Sequence, residues 1–201
     1  MKIICGPKWD QRIIEISPQG NIGILMSGGI DSWVLYNLLT KICEVTIFNI
    51  DGAPAHPYNV YTTIERLTNR KDIIRIKEDT KSEHYNGGKY INRTYQGIEY
   101  PEYIKENYDV DQIYGGNNRI PNEAHFSEFL NMPDGPWRFD HPYIVLPFMH
   151  LYKYHIIDIA NQYNISITDT QSCLTLPDGE GHCGNCFNCK EIKWAKQQLC
   201  K

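Results

Sequence analysis

The chain has no long apolar run, no excess of positive charge, no internal repeat and no low-complexity tract. Each absence closes off a class of function. No stretch approaches the length that crosses a bilayer, so no membrane span is expected. A net charge of −4 and a pI near 6.0 give no general attraction for nucleic acid or an anionic membrane surface. The opening residues, Met1-Lys2-Ile3-Ile4-Cys5-Gly6-Pro7, meet charge and proline too early for a secretory leader, and a cytoplasmic protein is expected. What remains is 201 residues, 41% hydrophobic, with 15 Gly and 11 Pro. That suits one globular domain with a sizeable core and a small appendage.

The stretch that organises the rest is Ser27-Gly28-Gly29-Ile30-Asp31-Ser32. Before it lies the short apolar run Ile22-Gly23-Ile24-Leu25-Met26, which reads as a buried parallel strand. After it, Ile30, Val34 and Leu38 share one helical face, with Leu35 and Leu39 beside them. The hexapeptide is therefore a strand-to-helix turn. Two glycines let a ligand approach the backbone, and the N–H groups and dipole of the first helical turn favour an anion. Ser27 and Ser32 add hydroxyl donors. Asp31 would repel a phosphate unless a cation lay between them, which reads as a magnesium ligand. The turn lacks the lysine and the longer spacing of a Walker A loop, so simple γ-phosphate hydrolysis is not its natural chemistry.

Elsewhere the order of elements predicts a parallel sheet with helices on both faces. Residues 1–20 read as a hairpin at a sheet edge, closed by Ser17-Pro18-Gln19-Gly20. Val45–Ile50 and Ile73–Ile76 read as strands with a helix over 56–69 between them. Asn49, Ile50 and Asp51 then fall where an adenine or ribose would lie, at the carboxyl ends of the strands. His56 is either a helix-start histidine or a substrate contact on that rim. Residues 80–111 are polar and rich in tyrosine, from Tyr85 to Tyr108, and read as a lid or insertion outside the core with one short helix near 101–108. A second glycine turn, Gly115-Gly116-Asn117-Asn118-Arg119, follows the strand 112–114 and leads into a helix over 122–130. Gly116, Asn118 and Arg119 are candidates for phosphate or substrate contact, against the alternative of a surface turn. Residues 131–142 read as a loop. Lys153 opens a helix over 151–163, where a lysine works against the dipole; it faces either an anion or solvent.

The chain has seven cysteines, and four of them, Cys173, Cys183, Cys186 and Cys189, crowd into one short segment. Two-residue gaps let successive thiolates fold onto one ion, and Gly184 permits the sharp turn. This points to a structural zinc site, with an iron–sulfur cluster as the rival and His182 as a bystander. A helix over 190–200 would pack on the metal loop through Ile192, Ala195 and Leu199.

The hexapeptide resembles the SGGxDS loop of the PP-loop ATP pyrophosphatase superfamily. Pro147-Phe148-Met149-His150-Leu151-Tyr152-Lys153, Thr170-Gln171-Ser172-Cys173 and Cys183-Gly-Asn-Cys186-Phe-Asn-Cys189 follow it in order. Together they resemble the 7-cyano-7-deazaguanine synthase family of queuosine precursor synthesis. That resemblance implies a Rossmann-like α/β ATP-binding domain over 1–170 and a zinc-binding segment over 171–201. It implies ATP, magnesium and zinc as cofactors, Asp31 and Lys153 in catalysis, the four cysteines as zinc ligands, and a homodimer. The expected substrates are a deazaguanine-like carboxylate and ammonia. Departures cluster near the expected substrate: Ile50-Asp51-Gly52-Ala53-Pro54 replaces an aromatic-Gly-Gln-Arg-His run, Asn117 replaces an arginine, and Gln171 a tryptophan. Two alternatives stand beside this reading. One keeps the fold but reduces a sulfonucleotide or transfers sulfur or an amino group to RNA, and needs Cys43 or Cys200 as a reactive thiol. The other is a nucleotide-binding module without turnover, which has no need of Asp31.

Overall fold

A computed structural model describes residues 1–51, 61–77, 99–121, 142–173, 175–176 and 181–201. The elements run β1 Lys2–Cys5, β2 Arg12–Glu15, β3 Ile22–Leu25, α1 Ile30–Leu39, β4 Val45–Asp51, α2 Tyr61–Thr68 and β5 Ile74–Lys77. They continue with α3 Glu99–Asn107, β6 Gln112–Gly115, β7 Ile144–Val145, α4 Lys153–Gln162 and α5 Phe187–Leu199. Five strands form one parallel sheet in the order β5-β4-β3-β6-β7. The chain winds outward from β3 through β4 to β5, then returns to β3's other side with β6. The strand order reverses at β3, and the carboxyl ends of β3 and β6 at that switch point are where open α/β sheets take their ligands.

Alternation along the strands sends side chains to two cores. Ile24, Ile47 and Tyr114 pack with Leu35 of α1, Ile64 of α2 and Ile156 of α4. Phe48, Ile76 and Ile113 face the other way, against Ile104 of α3 and Val110. Because β3 is covered on both faces, it reads as an unbroken apolar run. Ile104 and Val110 lie within the stretch expected to stay out of the core, and they are buried. Two well-spaced aliphatics suffice to seat a short helix on a sheet, so that expectation is corrected for residues 99–111.

The N-terminal hairpin exists, with Lys2 opposite Glu15 and Ile4 opposite Ile13. It is not an edge of the main sheet. β1 and β2 form their own two-stranded sheet, and Ile3, Cys5 and Ile14 turn inward to join the core beside α4. His56, the expected helix over 122–130, the loop over 131–141, and Tyr85, Tyr90 and Tyr95 lie outside the described residues. No helix among the described residues is long and apolar enough to cross a membrane.

His155 of α4 is fully buried beneath the hairpin loop. Its Nδ1 accepts the Tyr152 N–H at 3.1 Å, and Nε2 lies 3.0 Å from the Asp10 carbonyl oxygen. Both ring nitrogens are satisfied only in the neutral Nε2–H form, since a proton on Nδ1 would confront a donor. Burial, with the nearby Arg12 charge, pushes its pKa down to about 4. Between the unfolded value of about 6.5 and the folded value, the unfolded chain binds the extra proton. Stability conferred by the neutral ring is present above that window and is lost as pH falls through it. The urea midpoint should fall from pH 6.5 to pH 4, and His155→Gln should lower it at neutral pH and flatten that slope.

Candidate functional site

A cleft of about 430 Å³ opens at the carboxyl ends of β3, β4 and β6. Its floor is the turn from Ser27 to Ser32. Gly28 has φ +74°, a left-handed conformation that strains any side chain, so a glycine is required at the tip. Gly29 then caps α1, whose first-turn N–H groups head the helix at the cleft. Met26, Ser27, Gly29, Asp31 and Ser32 line the cleft from this side. The other wall is the second glycine turn, with Gly116, Asn117 and Asn118. A Cβ on Gly116 would lie 2.6 Å from the Ser32 nitrogen and 2.7 Å from the Asp31 carbonyl carbon. The two turns thus touch backbone to backbone.

Not every expected donor faces the cleft freely. The Ser32 hydroxyl is buried, accepts the Ser27 N–H and lies 3.2 Å from the Gly29 carbonyl oxygen. The Ile30 N–H donates to the Ser172 hydroxyl at 3.1 Å, and the Ile30 side chain belongs to the core. Asn49 lines the cleft while its amide donates to the Met26 carbonyl at 2.9 Å, tying β4 to the end of β3. Asp51 ends β4, and its side chain lies outside the described residues. Arg119 does not line the cleft; its guanidinium stands 5.3 Å from the centre of the Tyr152 ring. Its N–H donates to the Leu151 carbonyl at 2.7 Å.

Lys153 reaches into the cleft and is fully buried, which removes the solvated alternative. Its ammonium pairs with Asp31, lies 3.4 Å from Glu191 and donates to the Asn118 amide oxygen at 3.4 Å. Burial disfavours its charge, but the two carboxylates outweigh burial and raise its pKa. Burial pushes the Glu191 carboxyl up, with Asp31 adding to the shift and Lys153 opposing it. Asn118 donates to Glu191 at 2.8 Å and closes the group. The Oδ1 atom of Asp31 is buried without a hydrogen-bond partner among the described residues. An orphaned carboxylate oxygen facing a nucleotide-sized cleft fits a hard divalent cation such as magnesium.

Glu191 was not foreseen. Reading along α5, it stands four residues after Phe187 and four before Ala195, so a helical wheel puts this acid on the buried face. That was the available signal. Ser172 and Asn188, which also line the cleft, were likewise missed.

Behind this wall the four cysteine sulfurs lie within 4.8 Å of one another. Cys183 and Cys189 are 3.9 Å apart, and Cys173 and Cys186 are 4.0 Å apart. A tetrahedral ion with ~2.3 Å bonds to sulfur has edges of ~3.8 Å, so the set fits a single four-coordinate metal. N–H groups of Cys186 and Asn185 point at Cys183 from 3.2 and 3.4 Å and hold its thiol down to about 6. Burial pushes Cys189 up to about 12, so that thiolate needs a cation. Gln171, the residue standing in the tryptophan position, donates its amide to the carbonyls of Cys173 and Leu176 and braces this loop.

A family profile described as queuosine biosynthesis protein QueC matches residues 125–199. The match takes in Lys153, the four cysteines and Glu191, and stops short of the turn at 27–32. Among solved structures, one similar chain is the NH3-dependent NAD synthetase from Campylobacter jejuni subsp. jejuni NCTC 11168 in complex with the nitrate ion. It is 19% identical with a TM-score of 0.44, and the alignment covers 74% of this chain and 66% of that one. This chain thus spans just under two thirds of that protein's length. No curated protein matches the sequence.

Proposed function

We propose that this chain, a PP-loop superfamily relative of QueC, is an ATP-dependent enzyme that adenylates a carboxylate and passes the acyl group to ammonia. The observation that carries the reading is the Ser27–Ser32 turn at the sheet's switch point, with a buried, unpartnered carboxylate oxygen beside it. N–H groups of the turn and the α1 dipole hold the β,γ-diphosphate of ATP. Lys153 supplies positive charge to the same group as it leaves. A substrate carboxylate oxygen attacks the α-phosphorus, the bond to the bridging oxygen breaks, and pyrophosphate departs. Ammonia then attacks the acyl carbon and displaces AMP to give the amide. The preferred carboxylate is 7-carboxy-7-deazaguanine or a close relative, in which case a second activation of the amide oxygen and loss of AMP yields the nitrile. Catalysis rests on positioning and charge stabilisation. Asp31 would hold the magnesium ion, which when bound neutralises phosphate charge.

The four cysteines would hold zinc, closing the C-terminal segment onto the cleft. One ion per chain should be seen by native mass spectrometry. Its chelation should expose four further thiols to a thiol reagent and lower the melting temperature. Against the reductase alternative stands Cys43, whose thiol burial raises and which sits by the amino end of β4, opposite the cleft.

Incubation with ATP, magnesium, ammonium and candidate carboxylates tests the reading. Carboxylate-dependent AMP and pyrophosphate are expected, and ADP with phosphate overturns it. Asp31→Asn should lower AMP formation by ~10²-fold or more while leaving the melting temperature within a few degrees.

A further inference from the structure

The cysteine segment and the nucleotide turn are joined through one residue. Ser172 precedes Cys173, and its hydroxyl takes the Ile30 N–H of the turn at 3.1 Å. Its carbonyl accepts the Asn188 amide at 2.7 Å, and Asn188 precedes Cys189. Beside it the Gln171 N–H donates to the Gly28 carbonyl at 2.8 Å. Gly29 lies so close that an added Cβ would stand 3.3 Å from the Ser172 oxygen. Ser172 is therefore clamped between two thiol-bearing peptides on one side and the tip of the turn on the other. Both of those peptides carry sulfurs of the four-cysteine set.

We propose that Ser172 is a positioning residue through which the four-cysteine centre sets the shape of the nucleotide turn. The inference rests on the nucleotide-site reading above and gives the metal segment a role beyond stapling the chain end. With the sulfurs joined by an ion, the peptides around Cys173 and Cys189 are held at a fixed separation, and Ser172 holds Ile30. Without it only thiol contacts and single hydrogen bonds keep those peptides together. Ser172 then leaves the turn, the Ile30 N–H loses its partner, and the first turn of α1 loosens where phosphate would bind.

The test is calorimetric titration of the full chain with magnesium and α,β-methylene-ATP, alongside circular dichroism and metal analysis. Stripping the metal with a chelator should weaken binding roughly tenfold or more with the dichroism retained. Ser172→Ala, at unchanged metal content, should weaken it roughly tenfold, the upper scale of one neutral hydrogen bond, and Ser172→Thr should stay within about twofold of wild type. Stripping should weaken the alanine variant by less than it weakens wild type, since their shared link is already cut. If stripping unfolds the chain, metal-loaded Asn188→Ala takes its place and should also bind the probe more weakly. Wild-type affinity in the loaded alanine variants, or losses that simply add, overturns the coupling and leaves the nucleotide site standing. Absence of binding by loaded wild type overturns the nucleotide-site reading and this inference with it.

Discussion

Lys153→Met is expected to be the most damaging single exchange in the cleft. The buried ammonium is flanked by Asp31 and Glu191, and the methionine would leave the buried Glu191 carboxylate, with Asp31 beside it at the cleft, without its cation. Breaking a buried pair by removing one partner destabilises by about 3–5 kcal/mol, because the remaining charge has neither water nor counter-ion. The variant should show a correspondingly lower urea midpoint, and AMP formation should fall by ~10²-fold or more with the cation gone from the leaving group. Adding Glu191→Gln should recover a clear part of the stability and none of the activity. A lysine that served only as packing would lose stability and activity together and regain both.

Gly116→Ala is expected to have the second-largest effect, through backbone contact alone. Its Cβ would fall 2.6 Å from the Ser32 nitrogen and 2.7 Å from the Asp31 carbonyl carbon, and neither atom can rotate away. One of the two turns must move. Overpacking of this kind costs about 1–3 kcal/mol, and on the proposed function a ~1 Å shift of the Ser27–Ser32 turn costs ~10²-fold in rate. Gly29→Ala provides the contrast. Its φ is −81° and its Cβ would meet nothing nearer than the Ser172 hydroxyl at 3.3 Å, so its melting temperature should drop less than that of Gly116→Ala. Equal losses in the two variants would mean that the turns do not depend on each other's position.

What could be read in the sequence was what short-range pattern encodes. The apolar run before Ser27, the glycine turn and the buried run 45–50 all specify local geometry, and the parallel sheet follows from their order. The four cysteines declare themselves by spacing, and their sulfurs do converge. Features that depend on distant docking were hidden. Glu191 becomes part of the cleft because α5 lies along α4 and brings residue 191 to Lys153. The hairpin's strands were legible, but its position beside α4 instead of on the sheet edge is set by contacts such as the Gly6 N–H donating to Asp158 at 2.7 Å. Arg119 looked like a phosphate ligand by residue type. It is not among the residues lining the cleft, and its guanidinium lies 5.3 Å from the Tyr152 ring centre, a placement set by packing that residue type does not reveal.

Most directly, the account stands on where the diphosphate of ATP sits. A crystal structure of the full chain with magnesium and α,β-methylene-ATP measures this. The β- and γ-phosphate oxygens should lie within hydrogen-bond distance of backbone N–H groups between Ser27 and Ser32, with the cation on Asp31. Nucleotide seated elsewhere, with that turn open to solvent, would contradict it.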